Sequence, residues 1–377
     1  MIRPQERKAI DMQMQAAILT EAQTPFKIET VEIDPPKAGE VLVKMAATGI
    51  CHSDWHIVAG KADFPAPIIL GHEGAGIVEA VGPGVKRVQP GDHVTLSFRA
   101  SCGDCFYCRN DQASICENEM DAVIAGVLGD GSSRISWRGE PVYILAGLGT
   151  FAEYIVCREV SVVPVRKDVP LEVAALVGCA VSTGVGAAMF TAEVRAGQSV
   201  AVFGAGGVGL NIIQGAALCG ADPIIAVDTN SSKMEIARDF GATHCLMSDD
   251  TVVGEIQKLS EGRGADHCFE SVGIPALQET AIEAVRPGGI VTLVGITPQD
   301  SETKFLGQSL TMTERKIRGS LYGSINPARD FHLFLDLYMA GKLKLEELVT
   351  NRYRLDQINE AYASMLTGDV ARGVIVF

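Results

Sequence analysis

Cys102, Cys105, Cys108 and Cys116 follow one another with the spacing C-x2-C-x2-C-x7-C. Each short gap lets a tight turn aim neighbouring sulfurs inward, so four thiolates can close a tetrahedral cage. A soft sulfur set of this kind suits zinc, with an iron–sulfur cluster as the competing occupant. All its coordination positions are filled by protein, which makes the site structural. A second set is dispersed along the chain: Cys51 in Gly49-Ile50-Cys51-His52-Ser53-Asp54-Trp55-His56, His72 in Gly71-His72-Glu73-Gly74, and Cys179 after Val177-Gly178. Taken singly, a cysteine is usually a small core residue and a histidine a satisfied polar group. Two thiolates and one imidazole together form a three-ligand zinc set that leaves a fourth position for water or substrate. Two zinc ions per chain are expected, one structural and one catalytic. Cys157, Cys219, Cys245 and Cys268 have no partner at ligand spacing and read as core residues.

Gly204-Ala205-Gly206-Gly207-Val208-Gly209 follows the apolar run Ser199 to Phe203 and opens a helix-like segment, Leu210 to Cys219. A G-x-G-x-x-G pattern at a strand-to-helix turn permits the tight turn, lets the backbone approach a pyrophosphate and sets a helix N-terminus against its charge. The next apolar run, Pro223 to Val227, ends in Asp228, nineteen residues after Gly209, where such a fold carries the acid that binds adenosine ribose. That carboxylate repels a 2′-phosphate, and Thr229 and Asn230 follow it in place of an arginine, so NAD is favoured over NADP. A helix cap is a compatible second role for Asp228.

The elements that position these residues need a long chain. With 377 residues, two or three compact units are expected. Ala265 to Glu270 and Gly289 to Val294 read as further strands alternating with helical segments, which implies a parallel, doubly wound sheet. With 46 acidic against 32 basic residues the net charge is −14, which argues against nucleic acid and anionic membrane surfaces as partners. The uncharged stretches Val173 to Ala192 and Ala196 to Ala221 are rich in small residues and read as buried helices and turns, not membrane spans. Met1 to Asp11 has no apolar segment of a secretory signal, so a cytoplasmic protein is expected. In a reducing compartment, clustered cysteines mean metal or catalysis before disulfides.

With these residues the chain resembles the zinc-dependent alcohol dehydrogenases of the medium-chain dehydrogenase/reductase family over nearly its whole length. The resemblance rests on Gly71-His72-Glu73-Gly74-Ala75-Gly76, the four-cysteine lobe, Cys179 through Ser182-Thr183-Gly184, and the closing Arg372-Gly373-Val374-Ile375-Val376-Phe377. It implies an α/β fold with a GroES-like, β-rich catalytic domain over residues 1–181 and 322–377, around a doubly wound parallel Rossmann domain over 182–321. It further implies that Cys51, His72 and Cys179 hold the catalytic zinc, with Glu73 behind the metal and Asp54 fixing the tautomer of His72. Ser53 would take the alcohol proton and His56 pass it onward through the nicotinamide ribose. His52 would contact cofactor phosphate, and Thr183, Lys233 and Arg372 would touch nicotinamide, adenosine ribose and pyrophosphate. Zinc would act as a Lewis acid on the substrate oxygen while hydride passes to NAD.

Pocket positions of the family fall on Ala62, Phe98, Leu145, Ala146, Ile296 and Leu321, an apolar set that suits benzyl-type, terpenoid or medium-chain primary alcohols better than ethanol. A glutathione-dependent formaldehyde branch would carry an arginine after the cysteine lobe. Glu117-Asn118-Glu119-Met120-Asp121 is acidic there and disfavours a thiol adduct as substrate. Similarity to actinobacterial members leaves a permanently bound NAD(H) as an alternative to exchanging NAD. The long segment between Cys116 and Phe151 implies a homodimer by the same kinship. The remaining partner is a small alcohol or aldehyde.

Overall fold

The computed structural model describes residues 12–118, 120–368 and 371–377. The amino-terminal reading of residues 1–11 and the acid Glu119 lie outside the described residues. The chain divides into two compact units, one of Met1–Cys179, Asn326–Met339 and Leu345–Phe377, the other of Ala180–Ile325 and Ala340–Lys344. The short return of Ala340–Lys344 to the second unit was not expected. Lys344 explains it: its backbone N–H donates to Gln214 Oε1 at 3.0 Å and its Nζ to the Asp239 carbonyl at 2.6 Å.

In the first unit β1 (Met12–Leu19) and β2 (Lys27–Ile33) pair antiparallel in a six-stranded sheet. A seven-stranded sheet is centred on β3 (Glu40–Gly49), whose residues alternate little because both faces are covered. After β3 comes α1 (His52–Val58), and β4 (Gly74–Val81) then returns antiparallel beside β3 with Thr48 opposite Gly74. On the other side of β3 lies β5 (Tyr154–Arg158).

In the second unit β6 (Val200–Phe203) leads through the glycine turn into α2 (Gly207–Leu218) and on to β7 (Ile224–Asp228), followed by α3 (Lys233–Asp239) and β8 (His244–Met247). Further along come β9 (Ala265–Glu270), β10 (Val285–Leu293) and β11 (Lys316–Gly319). All pair in parallel in the order β8-β7-β6-β9-β10-β11, the doubly wound sheet that the alternating pattern implied. Ala201, Phe203, Ile225, Val227, Cys268 and Val291 pack in one buried cluster of that unit. The chain finishes in the first unit with α4 (Ile358–Thr367) and β12 (Arg372–Val376), which pairs antiparallel with β3.

Among the described residues one helix, Leu171–Thr191, is long and apolar enough to cross a membrane, and 83% of its most apolar window is buried. Of the four cysteines read as core residues, Cys157 and Cys268 are fully buried, whereas Cys219 and Cys245 are only half-buried. Cys219 follows the last residue of α2, and Cys245 lies on the edge strand β8, where one side has no neighbouring strand.

His267 on β9 is 3% exposed, and its Nε2 lies 2.9 Å from Gln198 Oε1. Burial pushes its pKa down to about 4, against the opposing pull of Asp266. The folded state therefore holds this imidazole neutral where the unfolded chain would protonate it at about 6.5. The associated stability is complete above that value and is lost as pH falls towards about 4. Between pH 7 and pH 5 the loss amounts to about 2 kcal/mol. Denaturant titrations of wild type and His267→Gln should show the variant losing about that much less over this interval; equal losses would remove the assignment.

Candidate active site

Strand register builds the first cluster. β3 ends at Gly49 and hands the chain to Cys51, the extended residue that caps α1. β4 begins at Gly74, directly after His72 and Glu73, and the Gly49 N–H donates to the Glu73 carbonyl at 2.7 Å. Neighbouring strand ends thus bring Cys51 and His72 together although they are far apart in sequence. The third member arrives on a helix that widens into a π turn over Val177–Val181, a distortion frequent at functional positions. A side chain at Gly178 would lie 2.8 Å from the Leu96 carbonyl oxygen and 3.7 Å from the Glu73 Cα, so only glycine lets Cys179 come this close.

Cys51, His72 and Cys179 are all buried, and one donor atom from each lies within 4.8 Å of the others. The Cys51 thiol is held well below its ordinary range, chiefly by a hydrogen bond from Cys179, and Cys179 is pushed up by the same contact. Burial opposes charge on His72, but Asp54 and Cys51 outweigh it and hold the imidazole well above its usual value. Asp54 Oδ1 accepts from the Gly71 N–H at 2.9 Å and lies 3.2 Å from His72 Nδ1, which leaves Nε2 as the ligand atom. The Ser53 hydroxyl sits 3.1 Å from Cys51 Sγ and 3.2 Å from His72 Nε2, beside the donor set. A soft, buried and partly anionic set of this composition fits zinc with an open fourth position.

Glu73 lies behind these donors, fully buried, with Arg372 Nη1 3.7 Å from its Oε2. A Cβ at Gly49 would fall 2.5 Å from that carboxylate oxygen, so the glycine before Cys51 makes the room for Glu73. Arg372 also donates to the Ile50 carbonyl at 2.9 Å, and burial of its guanidinium is offset by Glu73, Cys51 and Cys179. The sequence offered Arg372 only as a cofactor contact. Its pairing with Glu73 depends on the long-range register of β12 against β3, with Val374 opposite Gly49.

The four-cysteine lobe contains a helical turn, Phe106–Arg109, capped by Cys105, and a 3-10 turn, Ala113–Ile115, directly before Cys116. One sulfur from each of its cysteines lies within 4.8 Å of the rest. Backbone N–H groups aim at the sulfurs: Asp104 and Cys105 at Cys102, Cys108 at Cys105, and Cys102 at Cys116, over 3.3 to 3.5 Å. Such donors stabilise thiolate, and the Cys108 N–H leads in lowering Cys105 to about 6.

In the second unit Gly204 takes φ +98°, and a Cβ at Gly209 would lie 1.7 Å from the Gly204 carbonyl oxygen. Gly206 caps α2, whose first three residues are Gly207, Val208 and Gly209. Asp228 does not cap the following helix. Its Oδ2 accepts from the Ala205 N–H at 2.8 Å and lies 3.3 Å from Lys233 Nζ, while Oδ1 accepts from the Asn230 N–H at 2.9 Å. The acid therefore ties the glycine turn to the end of β7. Thr183 is half-buried on a helix of this unit, and His52 is exposed at the start of α1 in the other.

Phe98 meets the His72 ring edge-on with centroids 5.2 Å apart, and it lines one small cavity together with Ala146. Leu145 is buried in the core of the first unit, with Ala62 packed against it. Ile296 and Leu321 belong to the second unit and are 64% and 40% exposed.

Residues 37–167 match the family described as the alcohol dehydrogenase GroES-like domain, and residues 207–339 match the zinc-binding dehydrogenase family. Among curated relatives, the NDMA-dependent alcohol dehydrogenase of Amycolatopsis methanolica is 42% identical, with 97% of this chain and 99% of that protein covered. Alcohol dehydrogenase B of Mycobacterium tuberculosis is 40% identical over 97% of this chain and 98% of its own. The crystal structure of benzyl alcohol dehydrogenase from Acinetobacter calcoaceticus superposes with a TM-score of 0.92 at 32% identity, covering 97% of this chain and 99% of that one.

Proposed function

The chain belongs to the zinc-dependent alcohol dehydrogenases of the medium-chain dehydrogenase/reductase family, enzymes that use zinc and NAD, and from that premise we propose that it oxidises primary alcohols larger than ethanol, reversibly, to the aldehyde. Aryl, terpenoid and medium-chain alcohols are the substrate class. The observation that carries this reading is the Phe98 ring set edge-on to His72 at 5.2 Å, an apolar wall beside the metal donors. The likeness to a benzyl alcohol dehydrogenase supports it.

Cys51, His72 and Cys179 hold the catalytic zinc, and Cys102, Cys105, Cys108 and Cys116 hold a second, structural one. When bound, the catalytic ion supplies a Lewis acid to the substrate oxygen, and NAD supplies the hydride acceptor. The protein does the rest. Asp54 fixes the His72 ring through Nδ1, and the 3.7 Å approach of Arg372 holds Glu73 in place behind the donors. Ser53 takes the substrate proton, its hydroxyl lying 3.1 Å from Cys51 Sγ. His56 stands three residues on, on the same side of α1, half-buried and so in touch with solvent. Burial, and after it Lys61, lower its pKa, which leaves the ring neutral at pH 7 and ready to accept the proton. Gly204, Gly206, Gly207, Val208 and Gly209 receive the pyrophosphate at the N-terminus of α2, Asp228 and Lys233 the adenosine ribose, and Thr183 the nicotinamide, with His52 and Arg372 as further cofactor contacts.

Steady-state kinetics with saturating NAD test the substrate class. Burying a phenyl group contributes about 2–3 kcal/mol, so kcat/KM for benzyl alcohol should exceed that for ethanol by on the order of 10²-fold. Values that peak at ethanol and fall with size would sink the proposal. The same assays read cofactor exchange: turnover should depend on added NAD, and protein carrying stoichiometric NADH from purification would replace exchange by retention.

Exposed Phe305, Leu306 and Met312, just ahead of the edge strand β11, support a homodimer in which a second copy covers them, and the solution mass from sedimentation equilibrium reads this directly. Six of the ten cysteines stand in the two metal-donor sets rather than in disulfides, which supports a reducing, cytoplasmic location; fractionation of cells would test it.

A further inference from the structure

Tyr362 on α4 is 2% exposed and among the largest fully buried side chains of the chain. Its ring is fixed by three aromatic neighbours: Phe26 stacks at 5.5 Å, Trp55 stacks at 5.7 Å, and Phe151 meets it edge-on at 6.3 Å. Trp55 directly follows Asp54 on α1, so the tyrosine packs against the very turn that carries the carboxylate. Two polar atoms in this region are buried without a hydrogen-bond partner among the described residues, the Tyr362 hydroxyl and Asp54 Oδ2. One is a donor and the other an acceptor, and buried groups of both kinds are rarely left unmatched. Burial foremost, and then the charge of Asp54 ahead of Cys51 and Glu73, holds the phenol in its protonated, donating form.

We propose that Tyr362 is a positioning residue for the metal site, its hydroxyl donating through one bridging water to Asp54 Oδ2 and so fixing the carboxylate that orients His72. The proposal rests on the reading of His72 as a zinc ligand. Asp54 Oδ1 is already committed to the Gly71 N–H and His72 Nδ1, so an anchor on Oδ2 sets the tilt of the whole group. Partners at this remove from a metal usually change its affinity by about 10- to 100-fold, and Tyr362 stands one link further out. The expected effect is about 3- to 10-fold.

The test compares Tyr362→Phe with Phe26→Leu in the full zinc-loaded chain. Zinc release to a chelator is followed together with the melting temperature, and the catalytic-site phase is identified as the one missing from Cys179→Ser. Tyr362→Phe should release that zinc about 3- to 10-fold faster, with no gain in melting temperature. Phe26→Leu, which loosens the stacking but keeps the hydroxyl, should lower the melting temperature and leave the release rate unchanged. Wild-type release from Tyr362→Phe overturns the proposal, most plainly if its melting temperature rises, because the hydroxyl would then be an unmatched burden. Equal acceleration in both variants also overturns it, since packing alone would then act on the metal. A zinc count unaltered by Cys179→Ser would instead strike the ligand assignment beneath it.

Discussion

Replacing Cys179 by serine is expected to lower kcat/KM for alcohol oxidation by at least on the order of 10³-fold, with a single zinc lost and the fold kept. The magnitude follows from what the metal contributes. A Lewis acid on the reacting oxygen is worth several kcal/mol, and each 1.36 kcal/mol is a factor of about ten. A serine hydroxyl stays protonated at neutral pH and brings no negative charge to the ion, so the remaining donors, Cys51 and His72, hold it poorly. The side chains differ by one atom, and Gly178 and the π turn over Val177–Val181 are untouched, so the fold has no reason to fail.

Cys105→Ser should do the opposite. Cys105 both caps the helix Phe106–Arg109 and accepts from the Cys108 N–H, and its loss opens a cage that holds only itself together. The melting temperature should drop while activity per folded molecule stays within a few-fold. Metal analysis should give about two zinc per chain for wild type and about one for each variant. Activity lost with Cys105→Ser and stability lost with Cys179→Ser would exchange the two assignments.

What was legible in the sequence is what is local. The four cysteines of the lobe lie within one short segment, and the glycines from Gly204 to Gly209 sit at a single strand-to-helix turn, so spacing alone carries their geometry. Parallel pairing of the second unit followed from the alternation of short apolar runs with helices. The illegible features are those made by register between distant strands. Arg372 meets Glu73 because Val374 pairs with Gly49, and nothing within either segment announces the other. Gly49 reads as one small residue among forty glycines until Glu73 is found occupying the space its side chain would need. Tyr362 stands on a helix near the carboxyl end, and only the packing of Phe26, Trp55 and Phe151 shows that it belongs to the surroundings of Asp54. Cys219 and Cys245 gave no sign that they lie partly open at a helix end and a sheet edge.

Asp228 shows how the structure changes an experiment designed from sequence. As a ribose acid alone, it would be tested by alanine. In the fold its two oxygens also accept the N–H groups of Ala205 and Asn230 and pair with Lys233, so alanine would slacken the glycine turn and weaken any dinucleotide. Asp228→Asn removes the charge and keeps an oxygen for the turn. The neutral side chain no longer repels a 2′-phosphate, and Lys233, released from its 3.3 Å ion pair, becomes a cation available to it. A hydrogen bond to a charged group is worth about 1.5–3 kcal/mol, and the adenosine ribose of NAD loses that assistance. The ratio of kcat/KM with NAD to that with NADP should therefore fall by on the order of 10², through a loss with NAD and a gain with NADP. Asp228→Ala should depress both cofactors and alter the ratio less cleanly. If Asp228→Asn lowers activity with both nucleotides in equal proportion, the carboxylate serves only to hold Ala205 and the turn, and discrimination against NADP resides in another residue.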